Sequence, residues 1–217
     1  MGGKYFLIDT TRCTACRGCQ VACKAWNKLP GVETRQWGSP QNPPDLNAHT
    51  YRLVRFQEYG GKGKVVRYFF SDACRHCLDP PCKEAADKYV KGAIIKDPTG
   101  AIVYTNKTKR LGENAREVIE ECPYNIPRLD PETKRLTKCH MCYERISKAL
   151  EPACAKACPT GALNFGNERF ILKLAAERLE KVKSKFGDDA SLIYPDEVRA
   201  IYLVATDPAM YHEYAAY

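Results

Sequence analysis

Cys13-Thr14-Ala15-Cys16-Arg17-Gly18-Cys19-Gln20-Val21-Ala22-Cys23 is a C-x2-C-x2-C-x3-C run. Three cysteines at such short, regular intervals can wrap one small inorganic core, and the fourth points away from it. In bacterial two-cluster ferredoxins the last cysteine of a run of this kind ligates the neighbouring iron–sulfur cluster. The run is therefore half of a paired site and predicts a second half elsewhere in the chain. A structural zinc scaffold is the alternative, but it usually shows two C-x2-C knuckles and no further cysteine at x3.

Downstream lie Cys74-x2-Cys77-x4-Cys82, with Pro80-Pro81 before the last ligand type, then Cys122-Pro123, then Cys139-x2-Cys142-x11-Cys154-x3-Cys158-Pro159. The 217 residues contain 12 cysteines, far above ordinary usage. A disulfide scaffold explains such a count only in a short secreted chain, and cysteines two or three residues apart converge on a metal more readily than on each other. Twelve also divides into three sets of four.

The chain repeats itself imperfectly. In a pseudo-twofold ferredoxin each run gives three ligands to one cluster and one to its neighbour. Cluster 1 then takes Cys13, Cys16, Cys19 and Cys158. Cluster 2 takes Cys23, Cys139, Cys142 and Cys154. Cluster 3 takes Cys74, Cys77, Cys82 and Cys122. A fourth would need the first-run spacing counted back from Cys122, plus a residue three beyond Cys82. Those positions are Gly112, Ala115, Val118 and Ala86. One complete cluster is deleted ligand for ligand, and every remaining cysteine is used. A one-dimensional chain of redox centres cannot lose a middle member without a gap. The deleted cluster is therefore expected at the distal end, or the other three lie close together.

The formal charge of +8 counts cysteines as neutral. Each four-thiolate cluster carries roughly −2, so three would leave about +2. The basic balance is thus no nucleic-acid footprint. Met1 to Asp9 has no basic segment followed by a long apolar one, so no secretory signal is expected. No apolar run approaches the roughly 18 residues that span a bilayer.

Lys4 to Thr10 reads as a strand and Cys19 to Lys28 as a helix stopped by Pro30-Gly31; residues 31–50 read as a long loop. Thr50 to Tyr59 and Lys64 to Phe70 form a hairpin around Gly60-Gly61-Lys62-Gly63. A second hairpin pairs Gly92–Lys96 with Ala101–Thr105, and Glu113 to Glu121 is helical. Thr160 to Gly166 is a turn and strand. Glu168 to Phe186 is an amphipathic helix with Phe170, Ile171, Leu174, Leu179 and Val182 on or near one face, and Val198 to Ala205 is a late strand. The aromatic tail, Met210 to Tyr217, is either tucked against its own fold or laid on a partner. The fold class is α+β: two pseudo-symmetric bacterial ferredoxin-like modules, short β-hairpins and helices around Fe–S clusters, with a C-terminal helical and strand extension. Residues 1–48 and 134–166 form the module holding two clusters, and 49–133 the module holding one. Residues 167–217 supply a helix, strand and tail that pack on the fold and on a partner.

Asp9-Thr10-Thr11-Arg12-Cys13 leading into the first run, Gln41-Asn42-Pro43-Pro44-Asp45, Cys122-Pro123-Tyr124-Asn125-Ile126-Pro127-Arg128 and Cys-Pro-Thr-Gly-Ala at 158–162 carry a resemblance. The four-run pattern resembles the electron-transferring iron–sulfur subunits of molybdenum and tungsten oxidoreductases, most of which have four clusters. With one cluster absent, the chain is similar, over nearly its full length, to the beta (small) subunits of soluble tungsten- or molybdenum-containing formate dehydrogenases of sulfate-reducing bacteria. The resemblance implies three [4Fe-4S] clusters and a large catalytic subunit. That partner would hold a tungsten or molybdenum bis-pterin guanine dinucleotide and one further cluster. The resemblance also implies an external carrier such as a multihaem cytochrome c. Export to the periplasm with that subunit's signal follows, the cytoplasm being the alternative compartment. A polysulfide, dimethyl sulfoxide or related reductase would use the same relay with a different partner.

The chain itself shows no nucleophile, acid–base pair or phosphate loop, hence no catalytic residue. His76 and His140, inside cysteine runs, are not expected to ligate, because each cluster already has four cysteines; His49 and His212 have no metal-like neighbours. Arg12, Arg17, Lys24, Arg75, Lys83 and Lys138 lie beside ligands in sequence. A cation there either raises a cluster's potential by stabilising the more negative reduced state or simply points to solvent.

Overall fold

In the computed structural model of the protein, residues 2–61 and 63–217 are described. Strand β1 (Lys4–Asp9) leads through a short 3-10 turn into the first cysteine run, and helix α1 (Gly18–Trp26) carries its last two cysteines, Cys19 and Cys23. After an irregular stretch come β2 (Leu53–Gly61) and β3 (Lys64–Asp72), paired antiparallel from Leu53↔Asp72 to Gly61↔Lys64. Gly60 and Gly61 therefore belong to the strand rather than the turn; Lys62 lies outside the described residues. The base of this hairpin is buried, while Val65 and Val66 near its tip are exposed.

Helix α2 (Pro81–Tyr89) follows, then β4 (Ile94–Lys96), β5 (Ile102–Tyr104) and, after a 3-10 stretch with a kink at Gly112, α3 (Ala115–Glu120). Helix α2 begins at Pro81, just after Pro80. Proline at the first helical position starts a helix, because its missing N–H is one of those left unbonded there anyway. A minimal hairpin, β6 (Arg128–Leu129) with β7 (Leu136–Thr137), precedes the one-turn helices α4 (Tyr143–Ile146) and α5 (Ala153–Lys156).

The chain closes with β8 (Leu163–Asn167), α6 (Glu168–Phe186), β9 (Ser191–Ile193) and β10 (Ala200–Val204). The largest sheet has the order β8-β1-β10-β9. β1 and β10 run parallel at its centre, in the register Phe6↔Ala200 to Asp9↔Leu203, with antiparallel strands outside. Tyr5-Phe6-Leu7-Ile8 is continuously apolar because the strand is covered on both sides. Phe6 and Ile8 join one core with Tyr202, Cys19 and Cys154. Tyr5 and Leu7 join the other with Leu203, Ile171, Cys74 and Cys139. Segment 167–217 thus contributes the central partner of the N-terminal strand. Among the described residues no helix is long and apolar enough to cross a membrane.

Asn167 caps α6 by accepting from the Phe170 N–H at 2.9 Å, and the inward face is Ile171, Ala175 and Val182. Leu174 and Leu179 pack at the edge of that face. Phe170 departs from the expected stripe and is 54 % exposed. One residue is about 100° of helix, so the Ile171 face turns its neighbour outward. The tail is tucked in. Tyr211, His212 and Ala215 are buried, Tyr59 donates to the Met210 carbonyl, and Tyr217 packs on Tyr124 and Tyr194.

Candidate iron–sulfur centres

All twelve cysteines are free. Three loops of Cys-x-x-Cys, at Cys13, Cys74 and Cys139, share one backbone form. The residue two after the first cysteine has a left-handed φ: Ala15 54°, His76 52° and Met141 59°. Each bears a Cβ, so the conformation costs on the order of 1 kcal/mol or more, a cost that gathers at functional sites. The geometry turns that residue's N–H back onto the preceding sulfur. His76 N–H donates to Cys74 Sγ at 3.3 Å and Met141 N–H to Cys139 Sγ at 3.4 Å, and Ala15 N–H does the same for Cys13. Tyr124 and Thr160 N–H groups serve Cys122 and Cys158 alike. Such concave N–H arrangements stabilise anionic sulfur.

The loops gather the cysteines into fours. Cys74, Cys77, Cys82 and Cys122 line one small cavity with Arg75, Lys138, Tyr104 and apolar neighbours. Cys23, Cys139, Cys142 and Cys154 line another, with Arg52, Phe6 and Met141. Cys13 lies among Cys16, Cys19 and Cys158, near the surface, where Cys16 is exposed. The first group meets the second through Cys19 and Cys154, and the second meets the third through Cys139 and Cys74.

Burial dominates the electrostatics. It pushes the thiols of Cys13, Cys122 and Cys154 up to about 11 and those of Cys77 and Cys142 up to about 12. Neighbouring cysteines push several of them the same way, since like charges cannot gather unaided. At Cys158 burial also raises the pKa, but the Leu163 N–H, the Thr160 hydroxyl and further backbone donors outweigh it, so this thiol lies below its ordinary value. A polynuclear iron centre fits such donor sets, because its positive charge draws off the thiol protons. Among the described residues no three Cys, His, Asp or Glu side chains are grouped closely enough to hold a single ion. The sulfurs ring a space instead of converging on a point, as a tetrahedral zinc knot requires.

The cations named from sequence divide. Arg12 and Arg17 are exposed; Lys83 is half-buried and pairs with Asp87, and Lys24 reaches the His49 carbonyl at 2.9 Å. Arg75 is fully buried, boxed by Phe70, Tyr124 and Tyr202, and paired with Asp72 at 2.9 Å. Lys138 is buried too, donating to the carbonyls of Ile102 at 2.6 Å and Cys139 at 2.8 Å.

Four contributors escaped the sequence reading. Arg52 lines the second cavity, and Ser71 lies 3.3 Å from Cys19 Sγ. The Tyr104 phenol lines the same cavity as Cys82. The His76 ring spans two groups: Nδ1 accepts from the Ile102 N–H at 3.1 Å, which leaves the proton on Nε2, 3.7 Å from Cys139 Sγ. Only the His76 contact has a trace in sequence, its place inside C-x-x-C. The others come from positions distant in sequence from the cysteines they approach.

Three of the four positions at which the sequence reading sought a further ligand set are filled by packing. Ala86, Ala115 and Val118 are buried in a third core with Leu111, Ile94, Ile102 and Leu136. Cys82 is the one cysteine in that core, and Gly112 lies exposed at the kink, with φ 56°.

A family model described as a 4Fe-4S dicluster domain matches residues 65–168. The chain is 52% identical to formate dehydrogenase 2 subunit beta (cytochrome c-553) of Nitratidesulfovibrio vulgaris, over 99% of each chain. It is 50% identical to formate dehydrogenase subunit beta of Megalodesulfovibrio gigas, over 98% of each. The iron–sulfur subunit of the nitrate-inducible formate dehydrogenase of Escherichia coli is 36% identical, over 95% of this chain and 70% of the relative.

Proposed function

Since the chain belongs to the family of formate dehydrogenase beta, or iron–sulfur, subunits, we propose that it carries electrons between a catalytic large subunit and an external acceptor through three four-cysteine sites. Cys13, Cys16, Cys19 and Cys158 hold the first [4Fe-4S] cluster. Cys23, Cys139, Cys142 and Cys154 hold the second, and Cys74, Cys77, Cys82 and Cys122 the third. The observation that carries this reading is the gathering of twelve cysteines into three fours that meet in the order first, second, third.

When bound, each cluster supplies a one-electron store. The work of this chain is to hold, insulate and tune. Formate oxidation to carbon dioxide and a proton releases two electrons at the partner's tungsten or molybdenum pterin site, and this chain passes them singly. The N–H groups of Ala15, His76 and Met141 stabilise thiolate, while the apolar walls exclude water. The third core, on Ala86, Ala115 and Val118, supports an end position for the deleted cluster, beside the third site. The pairing of residues 1–48 and 134–166 around two sites, and of 49–133 around one, makes two ferredoxin-like modules to which 167–217 adds its helix and strands. The relative from Nitratidesulfovibrio vulgaris names a cytochrome, which supports a c-type cytochrome as the carrier. The periplasm is the compartment we propose, on the family resemblance, and cell fractionation against a cytoplasmic marker tests it.

Iron and sulfide analysis of the purified heterodimer, after subtracting the large subunit's own content, should give about twelve of each per beta chain. About eight or about sixteen would overturn the ligand sets. Reduction with formate should bleach the visible absorption of this chain only when the large subunit is present.

A further inference from the structure

We propose that Arg52 is the built-in counter-cation of the second four-cysteine site and, through Ser71, its electrostatic link to the first. The inference rests on the ligand sets proposed above.

Arg52 is 2 % exposed and carries a guanidinium that keeps its charge at any working pH. It lines the cavity ringed by Cys23, Cys139, Cys142 and Cys154. Its Nη1 donates to the Ser71 carbonyl at 3.0 Å and to Ser71 Oγ at 2.9 Å. Its Nε–H is buried with no acceptor among the described residues. The other buried arginines of this region have carboxylates: Arg55 pairs with Asp72 at 2.8 Å, and Arg75 with the same carboxylate at 2.9 Å. Among the described residues Arg52 has none. An unpaired buried charge is too costly to persist, so its counter-anion must come from what the cavity holds. The groups around it that can be anionic are cysteine sulfurs and the Tyr202 phenol, and burial pushes that phenol up to about 12, which leaves the sulfurs. Cys23, Cys139 and Cys154 all feel its charge, and Cys19 of the first group stands near it as well.

Ser71 makes the link directional. Its oxygen accepts from Arg52, so its own hydrogen is free for Cys19 Sγ at 3.3 Å. The second site thus faces the cation itself, with one N–H to spare. The first site receives it through a neutral hydroxyl. Adding an electron to either site adds negative charge, and a fixed cation favours that state. Of these two sites, the second receives the stronger lift.

The test uses the holo-heterodimer with Arg52→Met, Arg52→Lys and Ser71→Ala, read by potentiometric titration followed by paramagnetic resonance. Iron content is measured first for every variant. Arg52→Met should lower one midpoint by about 59 mV or more, a tenfold loss in that site's one-electron reduction equilibrium. Arg52→Lys, which keeps charge and loses the Nε–H, should lower the same midpoint by less. Ser71→Ala should lower a different midpoint and spare that one. Midpoints unchanged in Arg52→Met at full iron content would overturn the proposal, as would a fall in Arg52→Lys equal to that in Arg52→Met. If Arg52→Met fails to retain iron, Arg52→Lys decides: a lowered midpoint at one site supports the assignment, and none lowered overturns it. A wild-type chain without about twelve irons would instead overturn the ligand sets beneath it.

Discussion

His76 shows how much one side chain can be asked to do. Its backbone turns left-handed to serve Cys74, while its ring accepts from Ile102 and presents Nε2–H to Cys139. Burial drives its pKa well below the ordinary value, so the ring is neutral and the Ile102 bond fixes its tautomer. His76→Leu keeps bulk but leaves the Ile102 N–H buried without an acceptor. That costs about 1–3 kcal/mol, which should appear as a lowered Tm of the holo-complex. A Tm within experimental scatter of wild type would show that the bond contributes nothing. The residue type was visible in the C-x-x-C loop. Its contacts were not, because both are made to segments more than two dozen positions away.

Among the elements, α6 separates pattern from packing. Its boundaries follow from local chemistry, with Asn167 capping one end and Gly187, φ 106°, just beyond the other. Its stripe does not, since two adjacent apolar residues cannot both face the sheet. Ile171 is wholly buried, whereas Phe170 stands outward above Gly166. Ile171→Ala should destabilise by about 2–5 kcal/mol, and Phe170→Ala by no more than about 1 kcal/mol. Denaturant unfolding of the two variants measures the contrast. Equal losses would show that Phe170 is packed as tightly as its neighbour. The short helices α4 and α5 and the hairpin β6–β7 left no periodic signal, because elements of two to four residues barely complete one period of a helix or of a strand.

At the scale of the whole molecule, the C-terminal tail closes over the charged centre of the fold. His212 packs on the Phe70 and Tyr214 rings, with Nε2 3.8 Å from Asp72 Oδ2. Arg55, Arg75 and Asp45 also face it. Burial outweighs the pull of Asp72 and, with the two arginines, lowers its pKa from 6.5 to about 4. The folded protein therefore keeps His212 neutral while the unfolded chain takes up a proton. This contribution is complete above pH 6.5 and is lost as pH falls towards 4, roughly 3 kcal/mol in all and about 1 kcal/mol by pH 5.5. Thermal unfolding from pH 7.5 to 5.5 should show a shallower decline in His212→Gln than in wild type. Parallel declines would mean that the tail histidine titrates alike in both states.

What the sequence determined by itself was the chemistry. Thiolates at x2 and x3 spacing bind within one turn of chain, so Cys13 to Cys23 declares its use before any folding is known. The absence of cysteine at 86, 112, 115 and 118 is just as plain. The loops, the first hairpin and α6 could also be read, since each is set by neighbours a few residues apart. Only the tertiary structure decided which charges count. Of six cations beside cysteines in sequence, Arg75 and Lys138 line a cavity and Arg12 and Arg17 face solvent. Arg52, beside no cysteine in sequence, lines the second cavity. Burial turns a sequence neighbour into an electrostatic one, and burial depends on the parallel pairing of β1 with β10, residues almost two hundred positions apart.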